Sequence, residues 1–158
     1  MAQPTYKDEG EILAVVRRFE SCDYRLEEFT HTRHVTVACW YLCTNPRDAA
    51  LARMREGLER LIAHHGRQGY HETITRFWME LLASYLEQFA PGAPPLARIN
   101  RALEGYGSKD VLFSYYTRER VMSDIAKREW VEPDLRAIGE SSGAEEFDQL
   151  IGRWIGAE

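Results

Sequence analysis

The sequence predicts an all-α protein, a single-domain helical bundle with an irregular C-terminal tail. Apolar residues recur at intervals of three and four along most of the chain, which is the spacing of one face of a helix. No run alternates strictly between apolar and polar residues, so nothing in the pattern indicates a strand. The chain has 158 residues, of which 44% are hydrophobic and 28% charged. That length and composition suit one domain with its own core.

Five longer helices are expected, and most of them are bounded by a recognisable start or stop residue. Thr30 or Thr32 would cap the second helix. Pro46 would open the third helix, and Gly66 would end it. The proline-rich stretch 90–95 is the clearest linker. The expected helices cover, in order, about residues 11–22, 33–42, 47–65, 71–89 and 96–104.

The last third of the sequence is less regular. Residues 109–130 supply one or two more helices, and the folded core is expected to span about residues 10–130. The tail, residues 131–158, contains proline and several glycines and is expected to be partly extended. A final amphipathic piece, about 145–154, would either dock or fray. We interpret the whole chain as one helical domain.

Composition and charge exclude several classes of protein. The net charge is −5, whereas a general nucleic-acid binder needs a basic face. Three cysteines without zinc-ribbon spacing suit a reduced, cytoplasmic protein better than a disulfide scaffold. The polar, acidic start of the chain is not a signal peptide, and the longest apolar run, residues 35–43, is too short to span a bilayer. The amphipathic helices would allow either a monomer or a homodimer.

The histidines are unusually placed. All five lie between residues 31 and 71: His31, His34, His64, His65 and His71. Short connections make consecutive helices antiparallel neighbours. The start of the second helix, the end of the third and the start of the fourth should therefore meet at one end of the bundle. Every histidine of the chain is expected there.

The expected helix phases turn three of these histidines inward. His34 shares an apolar face of the second helix, His65 continues the apolar stripe of the third, and His71 leads that of the fourth. Three converging neutral imidazoles are typical of a first-row metal site. The sequence therefore predicts a divalent metal, either zinc, iron, manganese or nickel, held by His34, His65 and His71. His31, one turn before His34, or the neighbouring Glu72 would complete the site.

A metal there would act on a small-molecule substrate by hydrolysis, elimination or oxidation, and the sequence does not choose among these. Glu72 would be a general base, or would orient a ligating histidine. The segment around residues 114–123 crowds phenols and guanidiniums together. Tyr115, Tyr116 and Arg118 are the expected substrate contacts, with an arginine holding a carboxylate or phosphate.

Two alternatives stay open beside the metal enzyme. In the first, the protein is a non-catalytic binding or interaction module, and the histidines form a structural polar cap that hydrogen-bonds to helix ends. In the second, His71 and Glu72 act as a metal-free acid–base pair. The neighbouring His71 and Glu72 do not form the HExxH zinc-protease motif, because residue 75 is threonine.

The chain resembles a group of small bacterial helical proteins in three blocks, in the order EFTHTRHVTVACWYL, LIAHHGRQGYHETITRFW and YYTRERVMSDIAKREWVEPDLR. The blocks fall in the middle and later two-thirds of the chain. The resemblance supports the choice of site residues and implies no particular reaction. The bundle end is also similar in architecture to DinB-like metal-binding bundles, but the His-x3-His pair of that family has no counterpart here. The site residues inside the blocks include His31, His34, His65, His71, Glu72 and Thr73.

Overall fold

Helices and short 3-10 turns form most of the protein, as the sequence predicts. The computed structural model describes residues 5–89 and 91–139, and no strand is found in that part of the chain. Two 3-10 turns cover Leu26–Glu28 and Lys109–Ser114. The α-helices are α1 (Glu9–Glu20), α2 (His31–Thr44), α3 (Arg47–His64), α4 (Glu72–Gln88), α5 (Pro95–Tyr106), α6 (Arg118–Val121) and α7 (Asp124–Arg128). The all-α bundle is confirmed, and the first five helices begin and end within about two residues of the expected positions.

Helix α2 lies at the centre of the bundle. It packs against α1, α3, α4 and α5. The run Val35–Cys39 is buried without a break. A helix that is buried on every side needs neighbours on every side. The first turn of α2, which carries His31 and His34, is thereby held against α4 and α5.

A close approach of α1 and α3 helps to position the loop before α2. A Cβ atom at Gly57 would overlap the ring of Phe19, so only glycine leaves room for this ring against α3. Phe19 in turn stacks on Phe29, with ring centroids 4.8 Å apart. Thr30 follows, and its hydroxyl accepts a hydrogen bond from the Arg33 amide as the expected N-cap of α2. Phe29 is thereby fixed beside the start of α2.

The region expected to form one or two helices after α5 is broken into shorter pieces. It forms the second 3-10 turn and then α6 and α7. The hydroxyls of Thr117 and Ser123 each cap a new helix start. Ser and Thr compete for backbone groups in this way, which favours several short helices over one long helix. The chain therefore bends repeatedly around the first half of α4.

After α7 the chain runs as an extended strap across the bundle. The Thr73 hydroxyl donates to the Glu129 carbonyl at 2.8 Å, and the Tyr116 hydroxyl donates to the Val131 carbonyl at 2.6 Å. Residues 131–139 are non-helical, as expected for the start of the tail. The amphipathic piece expected at 145–154 lies outside the described residues. Within the described ranges, no helix is long and apolar enough to cross a membrane.

Candidate functional site

A cavity of about 610 Å³ opens where the start of α2 meets α4, α6 and the turn Lys109–Ser114. We call it the histidine cavity. Trp78 and Leu112 are buried in its lining, whereas Lys109, Asp110 and Arg118 are exposed. Its volume is in the range that holds a small organic molecule. It is lined by Phe29, Thr30, His31, His34, Ile74, Trp78, Lys109, Asp110, Leu112, Phe113, Arg118 and Met122.

His34 presents a neutral imidazole to this cavity. Burial, together with the charge of His31, lowers the pKa of His34 to about 4. The ring lies 6.0 Å from the ring of Phe29 and 6.3 Å from that of His31, centroid to centroid. The residue is half-buried and lines the cavity, and within the described residues neither ring nitrogen has a hydrogen-bond partner. At neutral pH the ring can therefore offer one donor and one acceptor to a ligand.

His31 is already attached to the fold through one nitrogen. Its Nε2 lies 3.0 Å from the carbonyl oxygen of Tyr106. Since a carbonyl only accepts, Nε2 carries the hydrogen, and Nδ1 is the acceptor of the neutral ring. Burial lowers the pKa of His31, the bond to Tyr106 opposes this, and the charge of Lys109 lowers it further. The ring packs edge-on against Trp78, with centroids 4.6 Å apart.

His65 lies apart from the histidine cavity. It is the C-cap of α3, and its Nε2 lies 2.8 Å from the carbonyl oxygen of Tyr24. Its own surroundings are a shallow surface pocket that includes Arg25 and Arg67. The side chain thus connects the end of α3 to the loop after α1.

Both ring nitrogens of His71 are occupied by backbone groups. His71 is the N-cap of α4, and its Nδ1 accepts a hydrogen bond from the Ile74 amide at 3.1 Å. Its Nε2 lies 2.7 Å from the carbonyl oxygen of Val121 and donates to it. Burial lowers the pKa of His71, although the bond to Val121 opposes the shift. The neutral ring joins α4 to α6 and has no lone pair left for a metal.

The structure therefore does not bring the expected metal ligands together. Among the described residues, no group of three or more His, Cys, Asp or Glu side chains could hold a metal ion. The rings of His65 and His71 turn to backbone carbonyls instead of towards His34. Of the four expected ligands, only His31 and His34 line one cavity. The prediction of a three-histidine site is not supported by this arrangement.

Glu72, the expected general base, is held in an ion pair away from the cavity. Arg55 donates to both of its oxygens, at 2.9 Å from Nε and 2.6 Å from the terminal nitrogen. The Tyr70 hydroxyl donates to it at 2.7 Å. Burial raises the pKa of Glu72, but these bonds outweigh burial and bring the pKa below its ordinary value. Glu72 is an ionised, fully partnered carboxylate that braces α3 against α4.

The expected substrate contacts separate into core and cavity residues. Tyr115 and Tyr116 are fully buried, and both rings pack on Phe77, at 5.1 and 5.7 Å between centroids. Neither lines the histidine cavity. Arg118 does line it, with its guanidinium 4.5 Å from the centroid of the Phe113 ring. Arg118 has no acidic partner within 4 Å among the described residues.

Sequence reasoning missed Lys109 and Asp110, which lie side by side in the turn after α5. The break GYGS precedes them, and it indicates a turn but not which part of the bundle the turn packs against.

No protein-family model, curated protein or solved structure matches this chain. The histidine cavity is therefore the feature of the described residues that bears on function.

Proposed function

We propose that the protein binds a small organic molecule in the histidine cavity, without a resident metal and with His34 as the central polar contact. The observation that carries the proposal is the ring of His34. His34 is half-buried, lines the cavity and has no hydrogen-bond partner within the described residues, so its ring nitrogens are available to water or to a ligand. Such a group at a cavity of metabolite size is typical of a ligand site.

The walls of the cavity suit a ligand with a flat apolar body. Trp78 and Leu112 are buried apolar residues of the lining, and the rings of Phe29 and Phe113 line it as well. One face of Phe29 is covered by Phe19, and one face of Phe113 by Arg118. Aromatic rings pack favourably on other rings in stacked or edge-on geometry. Half of the lining residues are polar or charged, so polar groups can orient a ligand that the apolar half of the lining holds.

Binding without proton transfer fits the chemistry of His34 better than acid–base catalysis. A general base works best when its pKa lies near the working pH. The pKa of His34 is lowered to about 4, so the ring is a weak base and remains neutral. Glu72, the other expected base, is saturated by Arg55 and Tyr70. Together these favour binding over catalysis. The proposal differs from the non-catalytic module expected from the sequence, in which the histidines form only a structural cap, because His34 is available to a ligand.

The test is a screen of small aromatic and aliphatic compounds by NMR, beside His34→Phe, which fills the place of the ring without its nitrogens. We expect at least one compound to shift the indole N–H signal of Trp78 and the ring signals of His31 and His34. We expect His34→Phe to abolish the shifts of Trp78 and His31, and His65→Gln to preserve all three. Binding that shifts only signals near His65, or no binding at all, would contradict the proposal.

The same spectra test the metal expectation. The protein is titrated with Zn²⁺, Fe²⁺, Mn²⁺ and Ni²⁺ in turn. Binding of the organic compound is expected to be the same with and without each ion. If the compound binds only when one of the ions is present, the metal-free proposal is wrong and the metal-dependent function expected from the sequence is favoured instead.

A further inference from the structure

The charged residues of the histidine cavity define a class of ligand. Lys109 and Arg118 are cationic, Asp110 is anionic, and all three line the same cavity. His31 and His34 are both neutral at pH 7, since burial lowers the pKa of each. The cavity therefore carries one more positive than negative charge, although the whole protein has a net charge of −5.

Arg118 is arranged to bind an anion in the plane of its guanidinium. One face of the guanidinium lies over the ring of Phe113, 4.5 Å from the centroid. Stacking uses the face of the group and leaves its N–H donors directed outward along the edge. These edge donors form the fork that pairs with both oxygens of a carboxylate. No carboxylate of the described residues occupies that fork.

Lys109 adds a second positive charge near the histidines. Its charge is close enough to His31 to lower the pKa of that ring. Within the described residues, Lys109 forms no ion pair within 4 Å. Two cations without close acidic partners, beside aromatic walls, favour an anionic ligand with an aromatic body. Their field also attracts such a ligand from solution, to an extent that depends on salt.

We infer that the ligand of the histidine cavity is a planar aromatic monoanion, a carboxylate whose oxygens are held by Arg118. This inference rests on the proposed function, because it names the class of molecule for the same cavity. The excess of one positive charge matches one carboxylate. A phosphate monoester carries about −1.5 to −2 at pH 7 and would exceed it. The aromatic body lies against Trp78 and Phe113, and the neutral His34 accepts or donates one hydrogen bond.

The experiment compares 2-naphthoate with 2-naphthamide, which has the same shape and no charge. Both are titrated into the full-length protein at pH 7 and low salt. We expect naphthoate to bind roughly tenfold tighter than naphthamide, as for one charge-assisted pair near a protein surface. In Arg118→Gln we expect the affinity for naphthoate to fall about tenfold, and the affinity for naphthamide to change by less than about twofold. Arg118→Lys keeps the charge but lacks the fork, so naphthoate affinity should recover only in part.

Arg128→Gln is the matched control, because it makes the same change in net charge. Arg128 is exposed at the end of α7 and does not line the cavity. The control should leave both affinities within about twofold of the original protein. An equal effect of the two arginine variants would show that only net charge matters, and would overturn the role of Arg118.

The remaining outcomes separate this inference from the proposed function. Equal binding of naphthoate and naphthamide would overturn the anionic ligand and leave the organic-molecule site in place. Tighter binding of 2-naphthyl phosphate than of naphthoate would overturn the monoanion. If neither naphthalene compound binds, the aromatic monoanion is wrong. If no compound of the wider screen binds either, the proposed function is also wrong.

Discussion

Two groups of polar residues in the same part of the bundle differ in how far their hydrogen bonds are satisfied. At the α3–α4 junction, made of Arg55, Tyr70, His71 and Glu72, both nitrogens of His71 and both oxygens of Glu72 have partners. In the histidine cavity, the His34 ring has no partner among the described residues. The bonded groups of the junction hold parts of the fold together, whereas a half-buried ring that faces a cavity can bond water or a ligand. The junction therefore stabilises the fold, and the cavity is where we propose that a ligand binds.

The histidines also differ in whether their side chains connect distant parts of the chain. His71 joins α4 to α6 through the Val121 carbonyl, 50 residues away. His65 joins the end of α3 to Tyr24, 41 residues away. These bonds hold long-range connections in place. His34 contributes no such bond, so its imidazole does nothing for the fold that an apolar ring of similar size would not do.

The largest expected effect is on the junction. His71→Ala removes the N-cap of α4 and leaves the Val121 carbonyl without its donor. We expect the free energy of unfolding to fall by about 2–4 kcal/mol, from the loss of a cap and an unpaired buried carbonyl. Urea unfolding followed by circular dichroism measures the change. His64→Ala is the control, since His64 is exposed, and it should change stability by less than about 0.5 kcal/mol. Equal effects of the two variants would remove the structural role of His71.

His34 in the cavity is expected to make the free energy of unfolding depend on pH, with a smaller effect that is confined to a defined pH range. The pKa of His34 is about 4 in the fold and near its ordinary 6.5 when unfolded. The unfolded state therefore takes up the proton first as the pH falls. Stability is fully present above about pH 6.5 and decreases towards pH 4. One such group accounts for about 2–3 kcal/mol between pH 7 and pH 4.

His34→Gln removes this titration. Because His31, His71 and the carboxylates titrate in both proteins, the difference between the two unfolding curves isolates His34. We expect the variant to lose about 2–3 kcal/mol less than the original protein between pH 7 and pH 4. Thermal or urea unfolding at four or five pH values measures it. Parallel pH profiles would indicate that His34 is protonated as readily in the fold as in the unfolded chain.

Much of the fold could be predicted because its signals are local. Thr30 caps α2 and Gly66 follows α3 with a φ of 66°, both as the residue types indicate. The apolar stripes then set which helix faces meet. The three short pieces between residues 109 and 128 were harder to predict, because the helix-start signals of Thr117 and Ser123 compete with a continuous apolar pattern.

The site was predicted only in part, because its geometry depends on contacts between distant residues. The sequence placed His31 and His34 together at one end of the bundle and Arg118 among the expected substrate contacts, and these three residues do line one cavity. It could not show that His65 and His71 face backbone carbonyls, since no pattern records which carbonyls remain without a donor. Tyr115 carries a polar group in a polar stretch, yet it is fully buried. The directions of the His31, His65 and His71 rings depend on carbonyl partners that lie 41 to 75 residues away in the sequence.

The most direct test of the contrast between junction and cavity is a long-range ¹⁵N–¹H NMR spectrum of the histidine rings, recorded from pH 7 down to pH 4.5. The account predicts that His71 is neutral with its hydrogen on Nε2, because Nδ1 accepts from the Ile74 amide. It also predicts that His34 stays mostly neutral down to pH 4.5, because its pKa is about 4, and that its ring signals move when a cavity ligand is added. A hydrogen on Nδ1 of His71, or a His34 that becomes charged near pH 6.5, would contradict the account.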